Sequence, residues 1–187
     1  MRRRSLLAAL ALAACKKAST LPELGQVPPF ELTGADGKPF SSAALDGKIW
    51  VVDFFFTNCP GPCPRMSKQL AELQEKTKGL PNFRIVSITV DPGRDTPEAL
   101  ASYARRYQAD PARWYFLTGR KDFIANLMSE AFYLGFADNL QEHSTRFVLV
   151  DGARRIRGFY DSFDAPGQAG ENIKKLLSDI QELHEHN

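Results

Sequence analysis

The residues best suited to chemistry are two thiols held in a proline-rich turn. Cys59-Pro60-Gly61-Pro62-Cys63-Pro64 follows the apolar run from Ile49 to Phe56 and precedes a helical pattern from Met66 to Lys78. A residue before proline is pushed away from the helical region, so Cys59, Gly61 and Cys63 are expected to be extended or turn-like. Proline is well tolerated at the first helical position, which predicts a helix start at Pro64 with Cys63 at or next to the N-cap. Unpaired N–H groups and the positive end of the helix dipole favour thiolate over thiol at such a place. Two close sulfurs of this kind either cycle between dithiol and disulfide or grip a soft metal ion.

The elements around the turn must bring it to a strand end. Ile49 to Phe56 is apolar on both faces apart from Asp53, the pattern of a central strand between helices. Apolar residues at 66, 70 and 73, with Ala71, form one helical face that Gly79 and Pro81 end. Phe83 to Val90 reads as the next strand, and Thr96 as N-cap with Pro97 behind it starts a helix to about Gln108. Trp114 to Leu117 reads as a short strand, and Asp122 to Phe132 as a helix. Arg146 to Asp151 and Arg155 to Tyr160 form a hairpin about Asp151-Gly152, and a last helix runs from about Gln168 to Leu183. Before the core strand, Phe30 to Phe40 predicts a hairpin about Gly34-Ala-Asp-Gly37 that caps the domain's entrance. The fold class is α/β: a central mixed sheet flanked by helices, with an N-terminal β-hairpin and an inserted helical segment, in an order that resembles the thioredoxin fold. Open α/β sheets keep their sites at the carboxyl ends of strands, where both the thiol turn and the loop from Asp91 fall.

The chain opens Met1-Arg-Arg-Arg4 and continues through ten apolar or small residues to Cys15. At ~1.5 Å per residue that run reaches about half of a ~30 Å hydrocarbon core, the shape of a signal peptide. Leu12-Ala13-Ala14-Cys15 resembles the bacterial lipoprotein processing signal, which implies lipidation of Cys15 and a lipid-anchored protein outside the cytoplasm in a bacterial cell envelope. Residues 1–14 are then the signal, 15–27 a polar tether with little fixed structure, and 28–187 the domain. Removing residues 1–14 lowers the lysine-plus-arginine count from 24 to 21 against 22 acids. No basic stripe with interleaved aromatics remains, which argues against nucleic-acid binding. A chain that is 43% hydrophobic and 11% aromatic has the material for one sizeable core.

With these residues in view, the sequence resembles the Sco (SenC) family of thioredoxin-fold copper proteins. The resemblance rests on Phe55-Phe56-Thr57-Asn58-Cys59 through Pro64, on Ser87 to Pro92 with Arg94-Asp95-Thr96-Pro97-Glu98, on Leu117-Thr118-Gly119, and on His143 before Phe147 to Asp151. These motifs run in family order over most of residues 28 to 183. The resemblance implies copper bound by Cys59, Cys63 and His143. It also implies a part in assembling the copper centre of cytochrome c oxidase, by delivering copper, by reducing the receiving thiols, or both. The partner is then the copper-site subunit of that oxidase or another periplasmic copper or thiol protein.

The chemistry of the trio stands beside the resemblance. Two thiolates and an imidazole suit monovalent copper, and the nitrogen keeps divalent copper acceptable. Structural zinc normally takes four protein ligands, although zinc with a bound water fits three. A metal-free thiol–disulfide oxidoreductase using Cys59 and Cys63 as a redox-active pair is the main alternative. Against it, three residues separate these cysteines where redox thioredoxins have two, and no proline occurs between Phe132 and Asp151. A peroxiredoxin-like peroxidase fails on its Pro-x-x-x-Thr-x-x-Cys pattern, since Asp53 stands four residues before Thr57 and Cys59 follows too soon. Duller readings also exist. The thiols could form a static disulfide, His143 could be an ordinary loop residue, and His184 and His186 read as an exposed helix end. Asp91 and Asp95 read as turn and helix-start residues, and Met66 and Met128 as core packing.

Overall fold

A computed structural model describes residues 19–135, 145–164 and 170–186. The expectations for residues 1–18, Cys15 included, and for His143 lie outside the described residues.

The strands are β1 (Gly25–Gln26), β2 (Glu31–Gly34), β3 (Pro39–Ser41), β4 (Ile49–Phe55), β5 (Phe83–Thr89), β6 (Trp114–Thr118), β7 (Arg146–Val150) and β8 (Arg155–Asp161). The helices are α1 (Pro62–Lys76), α2 (Pro97–Arg106), α3 (Lys121–Asn126), which continues into a π-helical turn over Leu127–Ala131, and α4 (Glu171–His186). The eight strands among the described residues form one sheet in the order β1-β8-β7-β4-β5-β6-β2-β3. β4 pairs parallel with β5 and antiparallel with β7, so the sheet is mixed, as expected.

Period-2 alternation along β4 divides the core. Trp50, Val52 and Phe54 pack on one face with Phe132, Met128 and Ile124. Ile49, Val51 and Phe55 pack on the other with Met66, Leu70, Leu100 and Ile180. Every residue of β4 is buried, including Asp53. Thr96 caps α2 as its sequence predicts, its side chain accepting from the Ala99 amide, with Pro97 in the first turn.

Away from the thiol turn, two expectations differ from the structure. The N-terminal hairpin forms, but instead of capping an entrance it extends the sheet, because the edge of β6 accepts β2 antiparallel through Thr33 opposite Thr118. The stretch expected to be a loose tether is tied down from Ser19 onward. β1 pairs with β8, the Leu24 amide donates to Ile156 O at 2.8 Å, and Arg157 donates through Nε to Pro22 O at 2.9 Å. Arg157 is itself buried and paired with Asp151 at 2.8 Å, so it needs those carbonyls to satisfy its remaining donors.

Asp53 is the polar exception in the central strand. Ser87 Oγ, directly across on β5, donates to Asp53 Oδ1 at 2.5 Å and accepts from Trp114 Nε1 at 2.9 Å. Asp53 Oδ2 has no hydrogen-bond partner among the described residues. Burial raises the Asp53 pKa from 3.8 to about 7, the Ser87 hydrogen bond opposing it. A raised folded-state pKa means that the folded protein holds a proton which the unfolded chain releases near pH 4. Stability therefore falls as pH rises from about 4 to about 7, by on the order of a few kcal/mol. Asp53→Asn is neutral at every pH and keeps the Ser87 contact. The variant should lose this slope and exceed the wild type in stability at pH 8, measured by denaturant unfolding of metal-free protein across pH 4–8.

Candidate metal and thiol site

The thiol turn lies at the carboxyl end of β4. Cys59 is 8% exposed and Cys63 is fully buried, both in the cluster that holds Phe55, Met66 and Phe147. No disulfide joins them in this structure, and they share a hydrogen bond with each other. The folded chain thus brings the two thiols within hydrogen-bond reach of each other.

The helix begins earlier than its sequence suggests. Pro62 opens α1 and Gly61 is the N-cap, with φ −122° and ψ −107°, so Cys63 sits inside the first turn rather than at the cap. Proline at the first helical position explains the start at Pro62 as well as it would at Pro64. One consequence reverses an expectation: burial, then the hydrogen bond with Cys59, pushes the Cys63 thiol well above its ordinary range. A hydrogen bond with the Phe56 backbone opposes that rise and is outweighed. Desolvation thus wins over the helix end at Cys63, and the thiolate needs a positive charge brought to it.

A second loop braces the turn. Asp95, 1% exposed, accepts from the Thr57 amide at 3.0 Å, from Thr57 Oγ1 at 2.5 Å and from Thr89 Oγ1. Thr89 Oγ1 also accepts from the Asp91 amide at 3.0 Å, and the Asp95 amide donates to Asp91 O at 2.9 Å. The loops that follow β4 and β5 are therefore fastened through one carboxyl group, two residues before Cys59. Asp91 is the turn residue its sequence suggests. Asp95 precedes the α2 cap, yet its side chain serves the thiol turn, a role missed because Thr57 is remote from it in sequence. On the other side, Ser67 and Tyr103 share a hydroxyl hydrogen bond of 3.0 Å that joins α1 to α2.

The third predicted ligand, His143, lies outside the described residues. The described chain resumes at Thr145, whose carbonyl accepts from the Ser162 amide at 2.9 Å, and Ser162 O accepts from Gln69 Nε2 in α1 at 3.0 Å. Because β7 runs antiparallel to β4, its first residue, Arg146, is at the thiol end of the sheet. Among the described residues no group of three His, Cys, Asp or Glu side chains is arranged to hold a metal ion. Met66 and Met128 are fully buried packing residues in opposite faces of the core. His184 and His186 belong to the last turn of α4.

Replacing the Asp95 carboxyl group by an amide should loosen the turn without touching either sulfur. Asp95→Asn places an amide donor where three donors converge, and a buried donor left without an acceptor costs about 1–3 kcal/mol. The expected result is a loss of stability of that size, with faster amide exchange at Thr57 and Cys59 than in the wild type, read by hydrogen exchange. Unchanged exchange there would show that the brace does not hold the turn.

Comparison with known proteins agrees with this fold. The SCO1/SenC family model matches residues 19–178. A SCO1 protein homologue of Bacillus subtilis is 41% identical over 95 residues, an alignment that spans 50% of this chain and about half, 49%, of that relative. The crystal structure of a SCO1/SenC family lipoprotein from Bacillus anthracis superimposes with a TM-score of 0.77 at 30% identity, covering 89% of this chain and 99% of that one. BsSco, in which a disulfide switch was identified and which is a member of the Sco family of cytochrome c oxidase assembly proteins, gives 0.76 at 29% identity, covering 90% and 98%. Yeast Sco1 with copper bound gives 0.66 at 25% identity, covering 84% and 89%. The fold is thioredoxin-like, and the chain belongs to the SCO1/SenC family.

Proposed function

We propose that this protein is a copper-binding metallochaperone, lipid-anchored through Cys15 outside the cytoplasm of a bacterial cell. In this reading it carries copper on Cys59, Cys63 and His143 toward the copper centre of cytochrome c oxidase. The observation that carries the reading is the buried, hydrogen-bonded thiol pair at the carboxyl end of β4. The end of the sheet at which the chain resumes after His143 supports the third ligand. The described chain resumes at Thr145, two residues after His143, beside Arg146 at the thiol end of β7. Copper bound to yeast Sco1, and the place of BsSco among oxidase assembly proteins, support the cargo and the destination.

Copper is cargo here, and the protein's part is to desolvate and hold it. A soft monovalent ion is well matched by two thiolates, and a single imidazole gives a harder donor that divalent copper tolerates. Each thiol must shed its proton to bind. Because burial holds the Cys63 proton tightly, loading releases that proton and copper affinity rises with pH.

The thiol pair also suits a second reading, favoured by its hydrogen-bond contact and by the disulfide switch of BsSco. In it, a thiolate of the pair attacks a partner disulfide, and the other thiol then resolves the mixed disulfide. Two electrons and two protons pass to the partner, and Cys59–Cys63 ends as the disulfide.

Titration with both copper states separates the readings. Cys59→Ser or Cys63→Ser should each abolish tight monovalent copper binding. His143→Ala should keep monovalent copper and weaken divalent copper by roughly a hundredfold or more, beyond the ~10–100-fold that loss of an outer-shell partner costs. Thiol reductase activity should survive in His143→Ala. Wild-type affinity for divalent copper together with lost reductase activity in that variant would instead make His143 an acid or base for thiol exchange.

A further inference from the structure

The stretch that leaves the domain toward Cys15 is fastened at the end of the sheet opposite the thiols. Glu182 in α4 accepts from Ser19 Oγ at 2.7 Å, the Thr20 amide at 2.7 Å and Thr20 Oγ1 at 2.9 Å. These contacts, the Ser19 hydroxyl first, hold the Glu182 carboxyl down at about 2, so the clamp persists at any physiological pH. Arg157 adds the Leu21 and Pro22 carbonyls, and Arg155 pairs with Glu23 at 2.6 Å. Ser19 shares a surface pocket with Ile49, Gly152 and His186, and the Gly47 amide donates to Gly152 O at 2.9 Å, so this is the Ile49 end of β4.

We infer that the clamped end faces the membrane and that the thiol turn opens away from it. The inference rests on the lipid-anchor reading at Cys15 and deepens it. Between Cys15 and the clamped Ser19 stand only three residues, and four Cα steps extend to about 14 Å at most. The seven residues of β4 separate the two ends by about 20 Å, with the thiol turn beyond. The leash is therefore shorter than the strand that separates its root from the sulfurs.

The experiment uses the lipidated protein in vesicles whose lipid headgroups carry an energy-transfer acceptor. In a Cys59→Ser, Cys63→Ser background, a donor dye is attached through Ala153→Cys, at the exposed tip of the β7–β8 hairpin, or through Asn58→Cys, exposed in the thiol turn. Flotation with the vesicles is measured first. Transfer should be higher from position 153 than from position 58. A Gly-Ser insert of about 30 residues between Ala18 and Ser19, with an r.m.s. reach of roughly 30 Å, should erase the difference. Equal or reversed transfer in floating protein overturns the orientation while leaving the anchor intact. A difference that survives the insert overturns the short leash as its cause. Failure to float overturns the anchor reading and the orientation with it.

Discussion

Burial of two thiols against each other at the end of a central strand is the constraint on which the rest of the structure depends. A thiol in apolar surroundings keeps its proton, and Cys63 does so despite lying in the first turn of α1. The helix end is thereby a means of placing the sulfur, and reactivity comes only with a partner that supplies positive charge or a competing sulfur.

The surrounding elements hold that pair at one geometry. β4 ends in Phe55, whose ring meets Tyr103 and Phe116 at centroid distances of 5.1 and 5.6 Å, so the strand cannot shift along the sheet without breaking the aromatic packing below the turn. Asp95 then fastens the turn from the side, and the Ser67–Tyr103 hydroxyl pair fixes α1 against α2. Asp53 is a different kind of residue. It lies in the strand that leads to the thiols, buried and satisfied on one oxygen by Ser87, and it costs stability at neutral pH. No contact described above requires a carboxyl group there in place of an amide.

Much of this was legible in the sequence because the signals were local. An unbroken apolar run announced β4, Thr96-Pro97 announced the start of α2, and Asp151-Gly152 announced the β7–β8 hairpin. The thiol turn was legible for the same reason, and the family resemblance then supplied the thioredoxin-like frame that the sheet order shows. What sequence reading missed was set by contacts between remote residues. Nothing near Ser19 indicates that Glu182 will receive it, and nothing near Thr57 points to Asp95. Two prolines, at 62 and 64, were equally able to open α1, and the structure uses the earlier one, with Cys63 buried in the core. The sign of the Cys63 shift followed from the same cause, since burial is a property of the assembled core.

X-ray absorption at the copper edge of the copper-loaded, reduced protein reads directly which atoms surround a bound copper ion. The account predicts two sulfur scatterers at thiolate distance and one nitrogen scatterer of imidazole type, with copper at one equivalent per chain. A first shell without sulfur, or copper bound with both thiols still reactive toward an alkylating reagent, would contradict it.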